Sequence, residues 1–154
     1  MELHMNGQHP SSQTPAQADR SVQPLALILL LALAAVLFFV GLGSLGLTDR
    51  DEGRNAEAGR EMYETGNYIS PTFNYEPRFA KPVFVYWLMS LSYHVFGVNE
   101  FAARFPSAIF GVGLILLQYL FLTRCRGPVV GLFGAAMLLL NLEIIGLSRM
   151  ALTD

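Results

Sequence analysis

Residues 25–47 read LALILLLALAAVLFFVGLGSLGL, 23 positions without a charge. The hydrocarbon core of a bilayer requires about 20 such residues in a helix, so this run is long enough to cross. It follows a polar stretch, residues 1–23, rich in Ser, Gln, Pro and Ala. A segment with so few large apolar side chains cannot bury enough surface to offset its ordering entropy and is expected to be a disordered tail. A cleaved signal peptide is the competing reading, but its apolar region would be about 7–15 residues long. The longer run favours a retained anchor.

The remaining composition points the same way. Of 154 residues, 53% are hydrophobic and 14% charged, against about 25% charged in soluble domains. Two more apolar runs fit membrane spans, residues 106–122, entered through residues 101–105, and residues 129–147. The predicted class is therefore an all-α integral membrane protein with three transmembrane helices. Between the second and third runs lies TRCRGP, residues 123–128, a tight turn with two arginines. Short loops bearing Lys or Arg stay in the cytoplasm, which places this turn and the N-terminus inside. The loop of residues 48–100 then faces outward or to the periplasm, and Asp154, past the third run, returns to its face. Eight acids and five bases in that loop give it a net charge of -3.

Within the loop, residues 83–96 are apolar but, at 14 residues, too short to cross alone. Their Phe84, Tyr86, Trp87, Tyr93 and Phe96 suit the headgroup region, and a helix lying at the interface is expected. Were this segment a span, Asp51 and Asp154 would fall on opposite faces. Residues 52–65 read as a helix with Asp51 as N-cap and Gly66 as its stop. Spacings of four, Glu57 to Glu61 and Arg60 to Glu64, suit a solvated helix face. Asp51 thus has two readings, a cap and a reacting carboxylate. Lys81 also has two, a side chain reaching up to the headgroups and a cation held at the depth of a lipid phosphate. Asn141 and Glu143 interrupt the third run, Gly127, Gly131 and Gly134 permit close helix contact, and Arg149 reads as an ion-pair partner or interface anchor.

Several classes are excluded. A formal charge of -2 with no basic stripe argues against nucleic acid. The single cysteine, Cys125, cannot form an internal disulfide, and His4, His9 and His94 are too scattered for a zinc site.

Taken in order, Asp51-Glu52-Gly53-Arg54-Asn55-Ala56-Glu57-Ala58-Gly59-Arg60-Glu61-Met62, Gly66-Asn67-Tyr68, Phe79-Ala80-Lys81-Pro82, Tyr86-Trp87 and Leu152-Thr153-Asp154 form a set of separated motifs. That set resembles the N-terminal part of the GT-C glycosyltransferases. The likeness is to the dolichyl-phosphate-mannose protein mannosyltransferase family and its bacterial relatives, the lipid A aminoarabinose transferases, and it extends over about residues 25–154.

The resemblance implies a GT-C N-terminal module in residues 24–154. Such an enzyme takes a hexose or pentose from a polyprenyl-phosphate carrier at the outer face of the cytoplasmic membrane and passes it to a lipid, glycan or protein acceptor. By resemblance, Asp51 is catalytic, as general base or positioning carboxylate for the acceptor, and Asp154 is a second functional acid. Arg54 and Lys81 match cations that contact the carrier phosphate, and Glu52 is an accessory carboxylate. In the aminoarabinose transferases an acid that takes part in a metal site precedes the lysine. Here that position is Ala80, so no metal or other cofactor is expected and aminoarabinose is disfavoured as the sugar. The family has many spans and a soluble external domain, so the chain is expected to be part of a longer enzyme and inactive alone.

The chemistry suits these residue types. Leaving polyprenyl phosphate carries charge that Lys81 and Arg54 can stabilise in a partly dry pocket. Asp51 can take the proton of an attacking alcohol or amine, and a single displacement inverts the anomeric carbon. A phosphate leaving group needs no protonating acid, so the paired carboxylates of glycosidases are not required. The competing function is a noncatalytic membrane interaction module with a solvated acidic loop. A transporter fragment, suggested by Glu143, lacks an inverted repeat.

Overall fold

The structure, a computed structural model, describes residues 15–47 and 49–151, with side chains from residue 23 onward. Six helices and one small hairpin follow in the order α1 (Pro15–Phe39), α2 (Arg50–Thr65), β1 (Thr72–Phe73), β2 (Glu76–Pro77), α3 (Val83–Phe96), α4 (Glu100–Arg126), α5 (Pro128–Leu139) and α6 (Leu142–Ser148).

The longest helix, α4, has 27 residues, about 40 Å at 1.5 Å per residue. It starts earlier than the apolar run because Asn99 caps it, accepting a hydrogen bond from the Ala102 N–H. Residues 101–105 are therefore helical, and Pro106 falls inside α4 rather than at its first position. Among the described residues α4 is the one unbroken helix long and apolar enough to cross a membrane.

The other two expected spans are interrupted. Helix α1 begins at Pro15, inside the stretch expected to be disordered, and stops at Phe39, so its apolar portion is Gln23–Phe39 rather than residues 25–47. Residues 1–14 lie outside the described residues. Past Phe39 the chain turns through Gly41, whose φ of 69° a side chain would resist. The third run forms α5 and α6, bent by 68° at the break. Asn141 causes the break: its side chain accepts from the N–H groups of Glu143 and Ile144, capping a new helix. Asn competes with the helical backbone in an interior and favours an N-cap, which explains why a continuous apolar pattern does not give a continuous helix.

Helix α4 is the spine. Phe38, Leu42, Ala108, Ile115, Tyr119, Ala135 and Leu139 form the buried core that joins it to α1 and α5. Close approach is set by glycines, as expected for Gly131 and Gly134. A Cβ on Gly131 would lie 2.9 Å from the Tyr119 carbonyl oxygen, and one on Gly134 would meet Leu122. Gly127 serves differently, ending α4 at a φ of 94°. Away from these contacts the helices expose apolar residues such as Leu29, Leu33, Leu117, Phe121 and Phe133.

Above one end of this bundle, α2 packs on α3. Val83 and Tyr86 meet Ala58 and Met62, while Met89 and Tyr93 meet Ala56, so the two helices run antiparallel. The bounds of α3 match the expected residues 83–96. Its buried Tyr86, Met89 and Tyr93 face α2, and its exposed Phe84, Trp87, Leu91 and Val95 face away.

A Cβ on Gly111 would lie 2.8 Å from the Ser148 Cβ and 3.0 Å from the Phe38 ring. Gly111→Val should therefore cost about 1–3 kcal/mol. Gly53, with nothing within 4 Å of a Cβ, should accept Ala with a gain of about 0.5–1 kcal/mol. Denaturant unfolding in detergent followed by circular dichroism checks both signs.

Candidate active site at the first turn of α2

The first turn of α2 is organised by Asp49, not Asp51. Asp49 is the N-cap, its Oδ1 accepting from the Asp51 N–H at 2.8 Å and the Glu52 N–H at 3.3 Å. The helix thus starts at Arg50, before the expected residue 52, and ends as expected at Gly66, in the left-handed conformation. This corrects the capping reading of Asp51, whose carboxylate is left for another partner. That partner is Arg54, one turn on, at 3.5 Å, with the Asp51 side chain 52% exposed. Two of the expected site residues are therefore together at the surface.

Glu52 behaves differently although it is adjacent. It is fully buried, and its carboxylate accepts from Arg104 Nε at 2.7 Å and Nη2 at 3.0 Å. Arg104 also donates to the carbonyls of Leu42, Leu45 and Gly46, the irregular chain beyond α1. Glu52 Oε1 further accepts the Ala151 N–H at 2.9 Å, and Asn55 Nδ2 donates to the Ala151 carbonyl at 3.2 Å. The Glu52 oxygens are turned inward and hold chain segments together, whereas the sequence reading gives Glu52 an accessory place in the site. Neither Arg104 nor Asn55 stood out in the sequence. The available signal was one arginine among Phe101, Ala102, Ala103 and Phe105, where a charge at a membrane edge requires a partner.

Asp154 lies outside the described residues, which end at Ala151. Lys81 is partly buried and sits between two fixed points. On one side the Arg78 N–H donates to the Pro71 carbonyl at 2.8 Å, and on the other Val83 packs with Ala58 and Met62. Lys81 therefore enters beside the second half of α2, while Asp51 stands at its start with Arg54 between them along the helix.

Farther along α2, Arg60 donates to Glu57 and Glu64. Its hydrogen bonds hold the Glu57 carboxyl below the usual range, partly opposed by burial. Tyr93 donates to the Ala56 carbonyl, and burial pushes its phenol well up. Arg149 is neither a simple ion-pair partner nor a free anchor, because it donates to the Leu37 and Val40 carbonyls at the end of α1. An apolar groove of about 440 Å³ runs between α3, α4 and α6, lined by Phe84, Leu88, Phe110, Leu114 and Leu147 among others. Among the described residues no three His, Cys, Asp or Glu side chains gather into a group that could hold a metal ion.

Residues 80–154 match the family model for dolichyl-phosphate-mannose-protein mannosyltransferase. An uncharacterized protein of Aquifex aeolicus (strain VF5) is 44% identical over 93 residues, 60% of this chain and 22% of that protein. The undecaprenyl phosphate-alpha-4-amino-4-deoxy-L-arabinose arabinosyl transferase 2 of Pseudomonas fluorescens (strain Pf0-1) is 37% identical over 121 residues, 78% of this chain and 22% of that enzyme. The crystal structure of ArnT from Cupriavidus metallidurans in the apo state aligns with a TM-score of 0.76 and 30% identity, over 86% of this chain and 24% of that one. The chain is similar to GT-C glycosyltransferases, and among them to the aminoarabinose transferases. The same ArnT bound to undecaprenyl phosphate aligns with a TM-score of 0.62 and 34% identity, over 66% of this chain and 19% of that one. The chain spans about a fifth of the length of the relatives it matches.

Breaking a buried ion pair leaves the surviving charge uncompensated, at a cost of about 3–5 kcal/mol. Glu52→Leu and Arg104→Met should each destabilise the chain by that order. The double variant Glu52→Leu/Arg104→Met should recover part of the Glu–Arg loss, while the Leu42, Leu45 and Gly46 carbonyls stay unsatisfied. Unfolding free energies of the four proteins check the coupling.

Proposed function

We propose that the chain forms the acceptor-activating part of a membrane glycosyltransferase that takes a sugar from a polyprenyl-phosphate carrier. The observation that carries this reading is the contrast between neighbouring carboxylates. Asp51 is exposed beside Arg54, whereas Glu52 is buried and occupied. A rigid first turn with one outward carboxylate and one outward cation is the arrangement a displacement from a phosphate needs. The likeness to an ArnT solved with undecaprenyl phosphate supports the carrier class.

Asp51 accepts the acceptor's proton as its oxygen or nitrogen attacks the anomeric carbon, and the carrier phosphate departs with the bonding pair. Arg54 and Lys81 meet the charge that develops on that phosphate. Glu52 and Asn55 fix the backbone of Ala151, three residues before Asp154. By the family resemblance, Asp154 is the second functional acid. Helices α1, α4 and the bent α5–α6 pair are the three spans, with the arginine-bearing turn on the cytoplasmic side and α2–α3 outside. In this arrangement α3 lies at the headgroup level. No metal is assigned to the site. Pentose and hexose carriers both fit, and sugar transfer requires the remainder of a longer enzyme.

In a full-length enzyme carrying this sequence, Asp51→Asn should lower the turnover of sugar transfer by about 10²–10⁴. Membrane insertion and carrier binding should be preserved. Turnover measured with radiolabelled carrier-linked sugar at saturating donor checks it, and unchanged turnover removes Asp51 from the chemistry.

A further inference from the structure

We infer that Glu61 is a positioning residue for the carrier phosphate and acts through Lys81. The inference rests on the reading of Lys81 as a phosphate contact. Glu61 lies in the fourth turn of α2, nine residues past Glu52, and like Glu52 it is fully buried. Its neighbours in the sequence, Arg60 and Glu64, do surface ion pairing, but Glu61 turns the other way. Its Oε2 accepts from the Thr72 hydroxyl, and its two oxygens accept from the Tyr75 N–H at 3.1 and 3.2 Å.

These bonds are made to a hairpin that could not hold its shape alone. Strands β1 and β2 have two residues each, and their turn places both Asn74 and Tyr75 at positive φ, 55° and 61°. Two-residue turns of that kind match the twist of paired strands, yet they favour Gly, and non-glycine residues there are strained. A two-stranded ribbon this short has little stability of its own. A buried carboxylate with a hydroxyl and a backbone N–H as partners supplies the missing constraint, because charge-assisted hydrogen bonds are about twice as strong as neutral ones.

The hairpin leads directly to Lys81. From β2 the chain is tied once more by the Arg78 N–H on the Pro71 carbonyl, with the Arg78 guanidinium over the Phe73 ring at 5.5 Å. Three residues later comes Lys81, and two after that Val83 is seated against Met62. Both flanks of Lys81 are thus fixed on consecutive residues of α2, Glu61 through the hairpin and Met62 through α3. The two buried carboxylates of α2 divide the labour: Glu52 holds the segment before Asp154, and Glu61 holds the segment before Lys81.

The test is a double-mutant cycle read by binding of undecaprenyl phosphate to the chain in lipid nanodiscs. Wild type, Glu61→Gln, Lys81→Ala and the double variant are titrated, with circular dichroism confirming that α-helix content is retained. Thr72→Ser, which keeps the hydroxyl, and Thr72→Val, which removes it, provide a second pair. Glu61→Gln is expected to weaken binding about tenfold when Lys81 is present and less than twofold when it is absent. Thr72→Val is expected to weaken binding and Thr72→Ser to preserve it. An equal Glu61→Gln effect in both backgrounds, or none with Lys81 present, overturns the inference while leaving Lys81 as a phosphate contact. If Lys81→Ala binds as tightly as wild type, the carrier reading itself falls, and the inference with it.

Discussion

The pairing of Glu52 with Arg104 is the constraint on which the arrangement of the chain depends. Both side chains are almost wholly withdrawn from solvent, which is unfavourable unless nearly every donor and acceptor is matched. Here the match reaches past the pair. Arg104 uses its remaining N–H groups on three carbonyls of the glycine-containing stretch after α1, and Glu52 takes a backbone N–H from beyond α6. One interaction therefore joins the exit of the first apolar helix, the start of α2, the start of α4 and the chain that follows the bent pair. It also answers a requirement of low-dielectric surroundings, where carbonyls of an unwound helix end need partners that water does not supply. Arg149 does the same for the carbonyls of Leu37 and Val40.

Much of this was legible in the sequence where pattern and period decide. Helix α3 has the expected ends because Pro82 and Gly97 bracket a short apolar run. Gly66 stops α2, and Gly131 and Gly134 sit at close helix contacts. The motifs also led to the family, since their order along the chain is more specific than any one of them. What sequence could not resolve were choices between equivalent groups. Asp49 and Asp51 are both good N-caps two residues apart, and only the backbone decides which one bonds the N–H groups. Asp51 and Glu52 are adjacent carboxylates, and only the position of Arg104, 52 residues away, decides which is buried. Asn141 has the same character, for an apolar count treats it as a tolerable interruption while its amide begins a new helix.

The candidate site follows from these resolved choices. Because Asp49 takes the capping role and Glu52 the buried one, Asp51 is left pointing outward from a turn that cannot easily move. Rigidity at the base of a carboxylate is what general base chemistry requires, since the barrier depends on holding donor and acceptor within hydrogen-bond reach. Arg54, on the same turn, is fixed by the same constraint, whereas Lys81, beside the second half of α2, is carried on a strap with its own anchor. Asp51 and Arg54 are thus held by one part of the scaffold and Lys81 by another.

Helix α4 carries Arg104 near one end and Arg124 near the other. Twenty residues of helix separate them, about 30 Å, which is the thickness of the hydrocarbon layer. Two of its charges therefore stand one hydrocarbon thickness apart, and the one nearer the start of α4 is the charge that holds Glu52.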